Sequence, residues 1–208
     1  MTPTALKPRN QTEEAILEAA REALAEDGFE RMTIDGIAKR AYVSRTAVYF
    51  YFTNKRAVVD RLIQRAFADI YDAAEPYFAG DGDPRQELRQ ALWRVVSVVN
   101  RNADLLLLAG RLYGQEDRLP PEWEPYIRRL VKAAERRIRR DQRRGAAPAD
   151  IPASLAAQAL TAMVERHITM EVIRGGRTAT ESIGVLAELW WRAAYSFPGG
   201  GAGGAPSA

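Results

Sequence analysis

Cysteine is absent from the 208 residues of this chain, which excludes disulfides, thiolate metal sites and cysteine nucleophiles together. Histidine occurs once, as His167. With no second imidazole and no acid at ligand spacing, it reads as a core or interface residue rather than a metal ligand or general base. No Ser–His–acid order, glycine-rich phosphate loop or His-Glu-x-x-His string is present, so neither an enzyme nor a bound cofactor is expected. No run of about 18 uncharged apolar residues occurs, so no segment is expected to span a membrane. The opening MTPTALKPRN lacks the apolar stretch of a secretory signal, and the cytoplasm is the expected compartment. Strand-like alternation is missing as well. What remains is helical periodicity throughout, which makes the fold class all-α, with about nine helices.

Charge of one sign is scarce overall, with a net of +3, but it is unevenly placed. Residues 11–30 hold seven Asp/Glu against Arg21 alone, and residues 31–65 hold eight Lys/Arg against two Asp/Glu. Within the basic stretch, Thr33 to Lys55 reads TIDGIAKRAYVSRTAVYFYFTNK. Thr33 suits the N-cap of a helix over 34–40, in which Ile34, Ile37 and Ala38 share one face. Ala41-Tyr42-Val43 forms a turn. Ser44 caps a second helix over 45–51, with Ala47, Val48 and Phe52 directed inward. Arg45, Thr46, Tyr49 and Tyr51 are left to face outward. An arginine can fork onto guanine O6 and N7, and hydroxyls can donate to phosphate oxygens. Asn54 caps the next helix, placing Lys55 at a positive helix end as a candidate phosphate clamp. The spacing predicts a helix-turn-helix whose second helix enters a DNA major groove. Thr33, Ser44, Arg45, Thr46, Tyr49, Tyr51 and Lys55 are its candidate DNA contacts. The acidic segment before it is expected to support the basic one and to keep its own outer face off DNA. The same pattern also suits a plain amphipathic helical pair with a solvated basic face.

Gly28-Phe29-Glu30, Thr33, Ile37-Ala38, Val43-Ser44-Arg45, Tyr49-Phe50-Tyr51-Phe52 and Asn54-Lys55 resemble the TetR family of bacterial repressors over residues 12–65. The Tyr-Phe-Tyr-Phe run, Arg143-Arg144-Gly145-Ala146-Ala147-Pro148, Met163-Val164-Glu165-Arg166 and Leu189-Trp190 are similar to the ethionamide-repressor subgroup. The chain departs from the family at the turn, where Tyr42 stands in place of a usual glycine. Ala47 replaces a frequent hydroxyl, Tyr51 a frequent histidine, and Gly36 lies inside a short helix.

The rest of the chain reads as a helical series. Asn10 and Glu13 fit a capping box for helix 1, which Gly28 ends. Helix 4 spans about 55–74, with Pro76 ending or disturbing it. Gly80-Asp81-Gly82-Asp83-Pro84 is a break, with Asp83 capping and Pro84 opening helix 5. Asp104 to Tyr113 is a short apolar helix, 114–121 a loop, and 123–144 a basic helix stopped by Gly145. Residues 128–144 carry nine Lys/Arg against two acids, read as the outer face of a packed helix rather than a second nucleic-acid surface. Pro152 opens helix 8, which runs to Gly175-Gly176, and Thr178 with Glu181 caps helix 9. The expected division is a DNA-binding domain at 1–56 with an arm at 1–10, a ligand-binding and dimerisation domain at 57–197, and a disordered tail at 198–208.

Helix 9 carries two adjacent stripes, one of Ile183, Leu186, Trp190, Ala193 and Phe197, the other of Gly184, Ala187, Trp191 and Ala194. Helix 8 carries Ala156, Leu160, Met163, His167 and Met170. Two such helices meeting their symmetry mates make a four-helix dimer interface, and the same stripes also suit an intramolecular core. Met163, His167, Met170, Ile183, Leu186, Ala187 and Ala194 are the candidate interface residues, because the resemblance implies a homodimer. It also implies a C-terminal ligand cavity, with Trp93, Trp123, Thr161, Val164 and Trp190 at the matching positions. Thr161 and Val164 replace amides of that subgroup, so a more apolar pocket is expected. The expected function is repression from a double-stranded, palindromic DNA operator, relieved by an apolar small-molecule effector. Two alternatives stay open: a constitutive DNA binder, and a small-molecule binding or catalytic protein with an incidental basic hairpin.

Overall fold

The computed structural model describes residues 9–112, 123–170 and 179–196, with side chains from residue 11 in the first stretch and from residue 183 in the last. All regular structure among them is helical. In chain order the helices are α1 (Arg9–Arg31), α2 (Ile34–Arg40), α3 (Arg45–Tyr51), α4 (Lys55–Ala79), α5 (Pro84–Arg101), α6 (Ala103–Leu112), α7 (Glu124–Arg143), α8 (Ala153–His167) and α9 (Ala179–Tyr195). The Asn10 capping side chain, Tyr113, the 114–121 loop, Gly175-Gly176, the Thr178–Glu181 box, Phe197 and the arm and tail expectations for 1–8 and 198–208 lie outside the described residues. The chain forms two compact units, Met1–Arg65 and Ala66–Ala208. The division falls after Arg65, nine residues further along α4 than the expected boundary before residue 57.

In the first unit, the capping residues act as their types dictate. Thr33 Oγ1 accepts the Gly36 N–H at 3.0 Å, Ser44 Oγ accepts that of Ala47 at 3.0 Å, and Asn54 Oδ1 accepts that of Ala57 at 2.9 Å. Gly28, at φ 72, kinks α1, and one further turn follows. A Cβ there would meet no atom, so the left-handed backbone alone calls for glycine. The core is built from Ile16, Leu17, Ala20, Met32, Ile37, Val48, Val58 and Leu62, all buried. The acidic flank of α1 is paired, as expected from its charge. Glu26 and Asp27 hold Arg40 at 2.7 and 3.2 Å, Glu13 holds Arg61 at 3.3 Å, and Glu14 receives both arms of Arg65. These last pairs tie the first half of α4 to α1 and explain why the unit extends to Arg65.

In the second unit, α7 packs on α8 and α5 on α9. Helix α4 continues through Pro76 to Ala79, because a proline costs one hydrogen bond and a local bend without forbidding a last turn. Helix α7 stops at Gly145, φ 73, where Gly145 N–H donates to Gln142 O and Ala146 N–H to Asp141 O, the paired bonds of a left-handed helix stop. A buried polar hub joins four segments. Arg137, 1 % exposed, donates from Nε to Asp141 at 2.5 Å and from Nη1 to Tyr77 O, Gly80 O and Glu87 Oε2, each at 2.7 Å. Tyr195 donates its hydroxyl proton to Asp141 at 3.0 Å and lies 3.1 Å from the Tyr77 hydroxyl. The carboxylates raise the Arg137 pKa although burial works against it. Burial pushes the Tyr77 phenol up to about 12 and the Tyr195 phenol higher still.

Candidate nucleic-acid interface and effector chamber

Helices α2 and α3 present Thr33, Ser44, Arg45, Thr46 and Tyr49 to solvent, with Tyr51 half-buried. The two capping hydroxyls use a lone pair on the helix N–H groups, which leaves the hydroxyl proton able to donate to a phosphate. Arg45 is held in place by its neighbours: Nη1 lies 3.3 Å from Asp35 Oδ2, Nη2 lies 3.3 Å from the Tyr49 hydroxyl, and the guanidinium sits 5.4 Å from the Tyr49 ring centre. A guanine edge must therefore take Arg45 from Asp35. Tyr51 packs edge-on against Phe50 at 5.2 Å between ring centres.

Lys55 differs from the sequence expectation. Its ammonium donates to Phe29 O at 2.9 Å and Glu30 O at 3.0 Å and lies 4.6 Å from the centre of the Phe29 ring. It caps carbonyls in the turn that follows Gly28, the end of a helix where cations are favoured. Two of its three N–H groups are thus engaged inside the protein, and it is not the open phosphate clamp that its position at the start of α4 suggested. Phe50 is a residue the sequence reading passed over. At 67 % exposure it is more open than Tyr49 at 44 %. Its spacing of four from Thr46 was the available signal, and its ring has the chemistry to touch a thymine methyl.

In the turn between the helices, Tyr42, which stands where the family usually has glycine, holds a left-handed φ of 55. Tyr42 N–H donates to Lys39 O at 3.3 Å and Val43 N–H to Ala38 O at 3.0 Å, the same pair of bonds that closes α7 at Gly145. A non-glycine residue in this conformation costs roughly 1–2 kcal/mol.

In the second unit two apolar chambers adjoin. One, of about 100 Å³, is bounded by Phe67, Val99, Leu106, Trp123, Ile127 and Ile168; the other, of about 70 Å³, by Ala74, Tyr77, Phe78, Leu88, Leu92 and Trp190. Ile70, Val95, Leu130, Thr161 and Val164 border both. Thr161 Oγ1 is buried at this seam with no hydrogen-bond partner among the described residues. Glu165 is the charged wall residue. Thr169 donates to it at 3.0 Å, and burial holds its carboxyl above the usual range. Its spacing of four from Thr161 placed it on the same helix face. A larger open groove, about 440 Å³, is lined by Asp83, Arg85, Arg89 and Glu188. Its salt-bridged surface, with Arg85 2.6 Å from Glu188, suits solvent better than an apolar ligand.

Residues 16–62 match the family model described as bacterial regulatory proteins, tetR family, and residues 89–196 match that of the transcriptional regulator EthR, C-terminal domain. The chain belongs to the TetR family, in its EthR-like subgroup. It is a DNA-binding transcriptional regulator and not an enzyme. It is 27% identical to the HTH-type transcriptional regulator EthR of Mycolicibacterium smegmatis over 189 residues, 88% of this chain and 86% of that one. It is 27% identical to EthR of Mycobacterium tuberculosis over 203 residues, 92% and 91% of the two chains. Among solved structures, SmeT, the repressor of the Stenotrophomonas maltophilia multidrug efflux pump SmeDEF, matches with a TM-score of 0.68 at 21% identity, covering 92% of this chain and 96% of that one. A TetR/AcrR-family regulator from Thermobifida fusca matches with a TM-score of 0.67 at 21% identity, covering 86% and 95%.

Of the five positions the TetR-family resemblance assigned to a cavity, the structure brings Trp123, Thr161, Val164 and Trp190 together around the chambers. Trp93 is corrected: it is 44 % exposed and borders neither chamber. It shares an outward helical row with Ser97 and Asn100, opposite the buried Leu92, Val95, Val96 and Val99. Four expected interface residues are also corrected. Ile183, Leu186, Ala187 and Ala194 are buried within the single chain, on the helix that packs on α5. These four come from both stripes read in the sequence, so both stripes turn largely inward, and periodicity alone does not separate an intramolecular core from a dimer seam. Met163, His167 and Met170 are half-buried.

Proposed function

We propose that this regulator is a homodimeric repressor of a palindromic operator, released when an apolar small molecule enters the paired chambers. The first unit is assigned to DNA, and the second to the ligand and the dimer. The observation that carries the ligand reading is the pair of adjoining apolar chambers with the unpartnered Thr161 hydroxyl at their seam, the chemistry of a small-molecule site with one polar handle. At about 100 and 70 Å³ the chambers are smaller than ligand sites usually are. An effector must widen them, and so favours a different arrangement of α4, α5, α7 and α8 from the one described. That differential affinity is what a switch requires. Helix α4 supplies Phe67, Ile70, Ala74 and Tyr77 to the chambers and Lys55 to the first unit, and so is the element able to report ligand to the DNA side. Release follows when the two recognition helices no longer match major grooves about 34 Å apart.

The dimer surface we assign is the outer face of α8 and α9. Leu155, Val185 and Leu189 are 58, 57 and 47 % exposed there, beside exposed Ala159, Ala162 and Ala193. Small residues among larger apolar ones allow close helix approach. Met163 and His167 flank this face.

The deciding experiment selects the preferred duplex from a random pool and then titrates apolar compounds into the complex. Tryptophan quenching and DNA release are expected over one concentration range, and DNA should weaken ligand binding by the factor by which ligand weakens DNA binding. The small chamber volume also favours a second reading, a constitutive DNA binder with a filled core. It prevails if no compound in a broad apolar series changes either signal.

A further inference from the structure

Tyr42 holds a left-handed backbone, and its side chain does nothing for the fold. It is 90 % exposed, and its ring and hydroxyl make no hydrogen bond, ion pair or ring contact among the described residues. The other left-handed residues described, Gly28 and Gly145, are glycines. Gly145 closes α7 with the same two backbone bonds that close α2 at Tyr42. The chain therefore uses glycine where this conformation has no further purpose, and departs from it at one place, two residues before the Ser44 cap of α3. Strain kept at an exposed position, with no contact to compensate it, points to a function outside the free protein.

The location says which. In a helix-turn-helix the N-terminal residues of the recognition helix reach base edges. A side chain projecting from the turn just ahead of them lies at the rim of the groove, where the phosphates run. Lys39, on the last turn of α2, adds positive charge beside it. A phenol suits such a place, because its O–H donates to a phosphate oxygen while its ring covers the adjoining sugar. We propose that Tyr42 is a DNA-backbone contact of this regulator, and that the strained turn serves to present its phenol to a phosphate beside the recognition helix.

The test compares the full-length wild type with Tyr42→Gly, Tyr42→Asn and Tyr42→Phe, on the tightest duplex that the wild type selects from a random pool and on random-sequence duplex. Tyr42→Gly is expected to raise the melting temperature by roughly 2–4 °C, yet to bind both duplexes about tenfold more weakly, the size of one hydrogen bond to a charged acceptor. Tyr42→Asn, which tolerates the turn without a ring, should lose the same affinity. Tyr42→Phe keeps ring and strain and should lose nearly as much. Because the phenol is uncharged, the salt dependence should stay that of the wild type. Wild-type affinity in Tyr42→Phe or in Tyr42→Gly overturns the proposal. So does a loss confined to the selected duplex, which would place Tyr42 on bases instead of backbone.

Discussion

Single residues divide into those whose chemistry alone reveals the role and those whose neighbours decide it. Arg45 is proposed for the first kind, as a base contact. Its position at the start of α3 was legible, and Arg45→Ala is expected to weaken the selected duplex by roughly ten- to a hundredfold while altering preference at one base. A fluorescence-anisotropy titration across single-base variants of the duplex checks this, and unchanged preference would move the base contact elsewhere. Lys55 belongs to the second kind. Its charge was visible, but the carbonyls of Phe29 and Glu30 that take it up lie on another helix and carry no sequence signal. Lys55→Met is therefore expected to destabilise the protein by about 0.5–1.5 kcal/mol, the net effect of losing hydrogen bonds to partly exposed carbonyls, as measured by urea unfolding. An unchanged midpoint with a shallower salt slope for DNA binding would restore the phosphate-clamp role instead. Thr161 presents the opposite case, a hydroxyl with nothing to bond. Thr161→Val should stabilise the ligand-free protein by about 1 kcal/mol, visible as a higher urea midpoint, and a lower midpoint would mean that the hydroxyl has a partner.

Whole elements were the most legible scale, because their signals are local. The caps at Thr33, Ser44, Asn54 and Asp83 and the stop at Gly145 fix helix ends through their own backbone neighbours, whereas Gly28 kinks α1 before its last turn instead of ending it, and the expected limits of α2 and α3 match the observed ones. Of the two roles expected of Pro76, ending α4 is excluded, since one more turn follows it. The hub that joins α4, α5, α7 and α9 was not legible at all. Arg137 sits in a run of nine basic residues, and nothing in that run distinguishes the buried guanidinium from the solvated ones. The hub has a pH consequence. The folded protein releases the Tyr77 proton near pH 12, whereas an unfolded tyrosine does so near pH 10. Between those values the unfolded chain has lost a proton that the folded chain keeps, so rising pH favours unfolding. Below about pH 10 both forms are neutral and the term vanishes. Denaturation midpoints should therefore be flat in this respect up to about pH 10 and fall above it, and Tyr77→Phe should flatten the alkaline fall. An equal fall in that variant would assign it to other groups.

For the molecule as a whole, the sequence carried the fold class and the presence of a helix-turn-helix, but not that both apolar stripes read on α9 turn largely inward and that Val185 and Leu189, in neither stripe, turn outward. That outcome depends on where α5 lies, a relation set by packing across about ninety residues and absent from any local pattern. The exposed pair predicts how the protein assembles. Leu189→Asp should convert a dimer to monomers in sedimentation at micromolar concentration and lower affinity for a palindromic duplex far more than for a single half-site. Ile183→Asp, which buries the same charge inside the protomer, should unfold it instead. A dimer that survives Leu189→Asp would move the interface off this face.

Arg137 takes hold of the end of α4 at the carbonyl of Tyr77 and that of Gly80, just past the helix. A rod fixed at one end turns a small push near the fixed point into a wide sweep at the other. From Tyr77, Ile70 stands about 10 Å along the helix and Lys55 about 33 Å, at 1.5 Å per residue. In the ligand-controlled reading proposed above, the Arg137 guanidinium is the fixed end against which α4 would move.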